Sequence, residues 1–487
     1  MRKLRLFSFL IAVIILLSIL TSCTEPTITP GTEQSETTTE NTENQQKKRI
    51  NSVSIDEYTI IYSRNDSDYS RRAATYIKDQ IKSSIGVELD VSLDTDGPFA
   101  HEIVVGDTSR EISQTLDADT DGVEFAIYAD DSHVAMEGDY FVIAAAAYFF
   151  VETYIMDEAV DTQIPKEMSI HEPIVKEAKN FILLIGDGMG VNQTRLFEAY
   201  DVVTDGDKAY SDGEDIFYGY MLPYQGLSNT TSLSGITDSA AGGTALATGY
   251  KTVNSRIGKD KDYNDIQSLT ELAGSMGKAT AVLSTDSIDG ATPASFSAHA
   301  NDRKDSDDIK ASQSQLKSKY NTIIECGNTK YNEYGVLSLE KRITDALSTL
   351  SNNENGFFVM YEEAHIDKHS HNSDMDSTFD AVVRFNQIIG RCMEYAFYNP
   401  DTFVLITADH ETGGLKISDD GTFSYTSAQN SEGSRNHTGS AVPVFAYGLG
   451  AEMFNDTTVE NVQIAKQIAD LWGVEEFGGP IHSYDYF

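Results

Sequence analysis

Short apolar runs from Phe181 onward end in acids and histidines: FILLIGDG from Phe181, FFVMYEEAHIDKHSH from Phe357 and FVLITADHETGG from Phe403, followed by a late His437. Carboxylates and imidazoles ligate divalent cations, and Asp187, Glu362, Asp367, His371, Asp409, His410 and His437 are enough for two or three such ions. Without cations, so many acids brought together would repel one another strongly. Asp367 and His371 are four apart, so one helical turn puts both on one face toward the same ion. Asp409 and His410 are consecutive and diverge in a continuing strand; they share an ion only if the strand stops, and Thr412-Gly413-Gly414 supplies a break. A nucleophile is offered between the first two acidic segments, in Ile236-Thr237-Asp238-Ser239-Ala240-Ala241-Gly242-Gly243-Thr244-Ala245. Small residues running into a helix allow close backbone approach, and the helix N-terminal amides favour an anion. A serine there is ordinarily a cap. The neighbouring ligands favour Ser239 as nucleophile, because the loop holds no histidine while a cation lowers a hydroxyl pKa directly.

These residues need a scaffold that gathers them. Runs rich in Ile, Val, Leu and Phe read as strands buried on both faces of a parallel sheet, and ligands collect at the carboxyl ends of such strands. Helical stretches alternate with them at Gln267 to Met276, Leu339 to Leu350, Thr378 to Ala396 and Val459 to Leu471. The expected fold from Asn180 onward is therefore α/β, a doubly wound, mostly parallel sheet flanked by helices, assigned to residues 177–487. GDGMG at Gly186 is a poor dinucleotide loop, since its aspartate would face and repel a pyrophosphate.

Residues 50–176 read as a smaller α+β domain. Strands are expected at Ser54 to Tyr62, Val87 to Leu93 and His101 to Val105, a hairpin at Val123 to Tyr128 and His133 to Glu137, and a helix carrying Ala73, Ile77, Ile81 and Ile85. Phe141 to Met156 is apolar but short and contains Glu152, which suits a buried helix better than a membrane span. Ahead of this region, Arg2, Lys3 and Arg5 precede the apolar run Leu6 to Leu20, the layout of a secretory signal over residues 1–22. The run ends at Leu20-Thr21-Ser22-Cys23, which resembles a bacterial lipobox, so a lipidated Cys23 would anchor an extracytoplasmic protein to the membrane. Residues 23–49 are mostly Thr, Glu, Gln, Ser and Asn and read as a disordered tether. With 76 Asp+Glu against 36 Lys+Arg, the chain carries a net charge of −40 and should not bind nucleic acid. Beyond Cys23 only Cys326 and Cys392 remain, enough for one bridge or two free thiols but for no cysteine zinc site.

Taken together and in order, ILLIGDGMG, TDSAAGGTALATG, DGATPASFSAHANDR, EEAHIDKHSH, TADHETGG and NHTGSAVPVFAYG resemble the alkaline phosphatase family across Asn180 to about Gly450. The resemblance implies that Asp367, His371 and His437 hold one zinc and that Asp187, Ser239, Asp409 and His410 surround a second. It implies a magnesium site completed by Thr292 and Glu362, with Asp187 bridging to it. Arg303 matches the family's phosphate-binding arginine, whose planar fork can grip two phosphoryl oxygens, and Lys368 matches a lysine that reaches phosphate through water. The implied activity is hydrolysis of small phosphate monoesters through a phosphoserine at Ser239, with net retention at phosphorus. A phosphodiesterase or sulfatase of the same superfamily, and a non-enzymatic glycan- or solute-binding lipoprotein, are the rival readings. Residues 50–176 resemble in pattern the small domains ahead of some glycoside hydrolases, which leaves glycan contact or a structural spacer open. The segment from Arg303 to Glu362 is short, so a homodimer would lack the family's crown-like insertion. One position departs from the pattern: bacterial relatives place an aspartate two before the threonine ligand, and this chain has Gly290. In the family that aspartate orders the third ion's waters and pairs with the lysine, so the resemblance implies a weakly held magnesium; Asp289 is next door, but adjacent positions usually point differently, and Gly290→Asp is the change that should tighten the site.

Overall fold

The computed structural model describes residues 47–115, 122–197, 216–327, 335–418 and 420–478. The signal run, Cys23 and the tether as far as Gln46 lie outside them. Lys48 already engages the fold, its Nζ donating to the carbonyls of Asp157 (2.9 Å) and Ala159 (2.7 Å). Among the described residues no helix is long and apolar enough to cross a membrane.

The chain from Asn180 onward builds an eight-stranded sheet. From one edge its strands are Ile323–Cys326, Ala279–Ser284, Phe357–Glu363, Asn180–Gly186, Thr402–Thr407, Val442–Tyr447, Tyr224–Asn229 and Thr458–Glu460. The first five run parallel; Val442–Tyr447 is antiparallel to both of its neighbours. The apolar runs are buried on both faces, as their composition requires. Phe181, Leu183 and Ile185 enter the hydrophobic cluster under helices Ser239–Thr248, Leu269–Ser275 and Asn461–Leu471. Ile182 and Leu184 enter the opposite one, with helices Gly335–Leu350 and Met375–Tyr398. Register aligns the strand ends: Ile185 stands opposite both Glu362 and Thr407, and Ser284 opposite Glu362. The residues that follow therefore emerge side by side on one edge.

Residues 47–177 contain a six-stranded sheet with helices Asp68–Ile85 and Ile143–Phe150 on it. His101–Val105 and the hairpin of Phe125–Ala129 with His133–Glu137 form as the sequence indicates. The strand expected from Ser54 begins only at Tyr58, because Ile55–Glu57 makes a 3-10 turn that buries Ile55. Phe141 to Met156 is not one α-helix: a 3-10 turn at Tyr140–Val142 leads into Ile143–Phe150, and Val151–Ile155 is a π turn. This region shares one hydrophobic cluster with the larger sheet and its helix Met375–Tyr398. Tyr76 stacks on Tyr398 with ring centres 4.2 Å apart, and Arg72 pairs with the buried Glu394 at 2.6 Å. Cys326 and Cys392 are unpaired; Cys392 is in the core and Cys326 on the surface.

Candidate metal centre

Asp187 follows the central strand Asn180–Gly186, Glu362 is the last but one residue of the strand on one side, and Asp409 lies two residues past the strand on the other. The strand stop needed for Asp409 and His410 to converge is present, since Thr402–Thr407 ends before them. Gly188 makes the turn after Asp187 with φ +75°, and a Cβ there would lie 2.7 Å from Cα of Asp367, so only glycine lets the two segments meet. Asp367 and His371 lie on the helix His365–His371, with His371 Nε2 3.2 Å from Asp367 Oδ1. His437 comes from the strand His437–Thr438, paired antiparallel to Glu411–Thr412.

Ser239 opens the fully buried helix Ser239–Thr248. Asp238 caps it, one carboxylate oxygen accepting from the Ala241 amide (3.0 Å) and the other from the Ser255 amide (2.9 Å). Gly242 and Gly243 serve packing: a Cβ on Gly242 would stand 2.8 Å from the Asp409 carbonyl, and one on Gly243 would crowd the Thr292 backbone. The helix is thereby pressed against the strand end and the helix Ala291–Ser297, which carries Thr292.

Hydrogen bonds fix which ring nitrogens face the centre. His371 Nδ1 donates to the Arg435 carbonyl and His437 Nδ1 to the Thr237 carbonyl (2.9 Å). In the neutral rings the Nε2 lone pairs then face each other at 3.1 Å, both beside Asp367 Oδ1; without a metal, a proton on His371 Nε2 bonds Asp367 instead. Thr412 Oγ1 donates to Asp367 Oδ1 (2.5 Å) and so accepts from His410 Nδ1 (3.2 Å). The Nε2 lone pair of His410 is left toward Ser239 Oγ at 3.2 Å, Asp409 Oδ2 at 3.3 Å and Asp187 Oδ1 at 3.6 Å. Acceptors converging on acceptors call for a cation between them. Ligand atoms of Asp367, His410 and His437 lie within 4.8 Å of one another, as do those of Asp187, Asp409 and His410. Asp187 Oδ1, Asp409 Oδ2 and Thr292 Oγ1 are buried with no well-formed hydrogen bond. The donors present fit bound divalent ions.

The electrostatics agree. Burial, then the charges of Asp409, Asp367 and Glu362, push the Asp187 carboxyl far above the carboxylate range. Burial and the charges of Asp367 and Glu362 push Asp409 up to about 8. Burial pushes Glu362 up to about 7, opposed by the Ser284 and Thr292 hydroxyls and assisted by Asp286. Asp367 goes the other way: burial raises it, but the His371 hydrogen bond and the His410, His437 and His371 charges hold it well below the carboxylate range. Burial, then His437, keeps His410 neutral. Arg303, half-buried, holds Asp238 by one nitrogen at 3.3 Å.

The fold gathers Asp187, Asp367, Asp409, His410 and His437 into two groups that share His410, and sets Ser239 and His371 beside them; Glu362 and Thr292 lie on the adjoining strand and helix, Arg303 is held by Asp238 and Lys368 by Asp286. It also reveals residues that the sequence reading passed over. Thr412 ties Asp367 to His410, Asp238 ties Arg303 to the serine helix, and Asp286 pairs with Lys368 at 2.6 Å. Asp289 does not stand in for the aspartate missing at Gly290: it turns to Ser287, Ser306 and Lys310, and Asp286, which the sequence did not single out, takes Lys368. Asp238 and Thr412 sit inside the motifs already singled out, so proximity to Ser239 and His410 was their available signal.

A family model described as alkaline phosphatase matches residues 178–332 and 327–434. The chain is 27% identical over 351 residues to alkaline phosphatase 3 of Bacillus subtilis, covering 62% of this chain and 75% of that one. It is 25% identical over 387 residues to the alkaline phosphatase of Escherichia coli, covering 56% and 82%. In fold it is similar to a cold-active alkaline phosphatase from a psychrophilic Shewanella sp., at TM-score 0.50 and 24% identity over 60% of this chain and 99% of that one. The family match spans more than half of the 487 residues and contains eight of the nine candidate ligands, only His437 lying beyond it. The chain belongs to the alkaline phosphatase family and is a phosphatase.

Proposed function

We propose that this protein hydrolyses phosphate monoesters through a phosphoserine at Ser239. The observation that carries the reading is the placement of Ser239 Oγ: first residue of a buried, capped helix and 3.2 Å from His410 Nε2, inside the cluster of Asp187, Asp409 and His410. Asp367, His371 and His437 would hold one zinc, Asp187, Ser239, Asp409 and His410 a second, and Asp187, Thr292 and Glu362 a magnesium. These ions, when bound, would supply the positive charge that deprotonates the serine and the hydrolytic water and stabilises the departing alcohol oxygen.

The chain's own groups do the rest. Helix N-terminal amides favour negative charge at Ser239 Oγ. Its oxygen forms the new bond to phosphorus while the ester P–O bond breaks, and the alcohol leaves with a proton. Water then forms a P–O bond as the bond to Ser239 breaks, releasing inorganic phosphate and returning the serine hydroxyl. Arg303, aimed by Asp238, grips the phosphoryl oxygens in both steps, and its fork suits the terminal group of a monoester better than a diester. Lys368 adds a second positive charge.

The deciding experiment is hydrolysis of a chromogenic phosphate monoester by the chain lacking its first 46 residues, before and after chelation and zinc add-back. Activity should vanish on chelation and return with zinc. Ser239→Ala should lower turnover by about a thousandfold or more while binding zinc normally. Full activity after chelation, or Ser239→Ala turning over at the wild-type rate, refutes the reading. A faster rate on a diester would favour the phosphodiesterase alternative.

We also propose, from the sequence, export and lipid anchoring at Cys23. Fatty-acid labelling in cells should be lost in Cys23→Ser; labelling that survives would put the lipid elsewhere, and an unlabelled wild type would point to an uncleaved anchor.

A further inference from the structure

The loop after the strand Ala279–Ser284 carries two aspartates with different surroundings. Asp289 is committed to its own loop and the next helix: Ser306 Oγ donates to it at 2.5 Å, Lys310 pairs with it at 3.0 Å and Ser287 also donates. Those three contacts hold its carboxyl well below the carboxylate range. Asp286 is turned toward Lys368. Its carboxylate pairs with Lys368 Nζ at 2.6 Å, and its amide donates to Ser284 Oγ at 2.9 Å. The Ser284 hydroxyl in turn donates to Glu362. The Asp286 backbone is therefore one hydroxyl away from the buried Glu362, and its charge pushes the Glu362 carboxyl up. Thr292 Oγ1, almost wholly buried, has no well-formed hydrogen bond beside them. Lys368 balances the Asp286 charge, and a hydrated cation beside Glu362 and Thr292 would balance the rest.

Gly290 explains how Asp286 fits. Its φ is −58°, which any residue adopts, so backbone freedom is not the reason for glycine. Space is the reason. A Cβ at 290 would stand 3.0 Å from the Ser287 carbonyl and 3.3 Å from Asp286 Oδ2. The missing side chain leaves room for a carboxylate arriving from four residues earlier.

We propose that Asp286 is a positioning residue of the phosphatase site, holding Lys368 in place for the phosphoryl group and, beside Glu362 and Thr292, holding the water ligands of the third divalent cation. The proposal rests on the reading of the site given above. It reverses one expectation: Gly290→Asp sets a second carboxylate against Asp286 and loosens the cation.

The test is Asp286→Asn, close in shape, at a side chain about one third exposed. Magnesium is titrated calorimetrically into zinc-loaded wild type and variant, and inhibition by inorganic phosphate is measured in both. Magnesium affinity should fall by about 10 to 100-fold and phosphate inhibition should weaken, with zinc content unchanged. Lys368→Met should weaken phosphate inhibition and leave magnesium affinity closer to wild type. Gly290→Ala, which presses on Asp286 without touching any ligand, should lower magnesium affinity as well, and Gly290→Asp should lower it further. Wild-type magnesium affinity and phosphate inhibition in Asp286→Asn, or tighter magnesium in Gly290→Asp, overturns the proposal. A wild type with no zinc-dependent hydrolysis would instead bring down the functional reading, and the calorimetric comparison would still report on Asp286.

Discussion

Protonation is what single residues contribute to this site. Glu362, pushed up to about 7, and Asp409, pushed up to about 8, hold protons in the folded, metal-free chain that an unfolded chain has released. Asp187 is raised in the same sense, and the Asp367 hydrogen bond raises His371. For all four, stability present at low pH is lost as pH rises through the folded pKa. His410, depressed by burial and His437, has the opposite sign, but its contribution is complete above the ordinary histidine pKa of about 6.5. The net sign is therefore clear between pH of about 6.5 and about 8. The chelated protein should melt at progressively lower temperature across that window, while zinc and magnesium restore most at its alkaline end, where cations no longer compete with protons. A melting temperature that rises with pH in the chelated protein would show that the acid cluster is not what limits it.

Among the elements, the short pairing of Glu411–Thr412 with His437–Thr438 does the most for the site. It brings His437 back to the strand end from which His410 comes, and the two rings stack at 3.6 Å. Glu411 secures the pairing: it accepts from Gln193 Nε2 (3.3 Å), the amides of Leu415 (3.1 Å) and Gly414 (3.2 Å), and the Thr438 hydroxyl. Thr412 then links the two ligand groups through one oxygen, orienting Asp367 and setting the His410 tautomer. Thr412→Val keeps the shape and removes both bonds. Zinc affinity measured against a competing chelator should fall by about 10 to 100-fold, and Thr412→Ser should recover most of it. Equal affinity in all three proteins would mean that packing alone aims these ligands.

Across the whole molecule, the first 130 or so described residues and the large sheet share a hydrophobic cluster, and helix Met375–Tyr398 is the shared wall. That helix starts four residues after His371, so the packing of Tyr69, Tyr76 and Phe141 against its far half steadies an element leading directly out of the site. A Cβ on Gly390 would lie 2.2 Å from the Tyr69 hydroxyl, which shows how closely the two regions approach. Arg72→Met removes the 2.6 Å partner of buried Glu394 and should lower stability by about 1–3 kcal/mol, with one cooperative urea transition. Two separated transitions would show that residues 47–177 unfold on their own. The net charge of −40 makes Arg303 and Lys368, both partly exposed, the local attraction for an anionic substrate.

Sequence alone determined the features that depend on near neighbours. Apolar runs buried on both faces mark central strands, a four-residue spacing puts Asp367 and His371 on one helical face, and Thr412-Gly413-Gly414 ends a strand where Asp409 and His410 need it to end. Those signals are local because strand and helix periodicity are local. Tertiary structure decided the contacts that depend on how loops curve and which segments meet. His410 reaches Ser239 from 171 residues away, and Arg72 finds Glu394 across 322. Asp286 and Asp289 are three residues apart in one loop, with the same side chain and opposite destinies. The turn's path and the space left by Gly290 direct one to Lys368 and the other to Ser306 and Lys310, and neither path nor space is written in residue type.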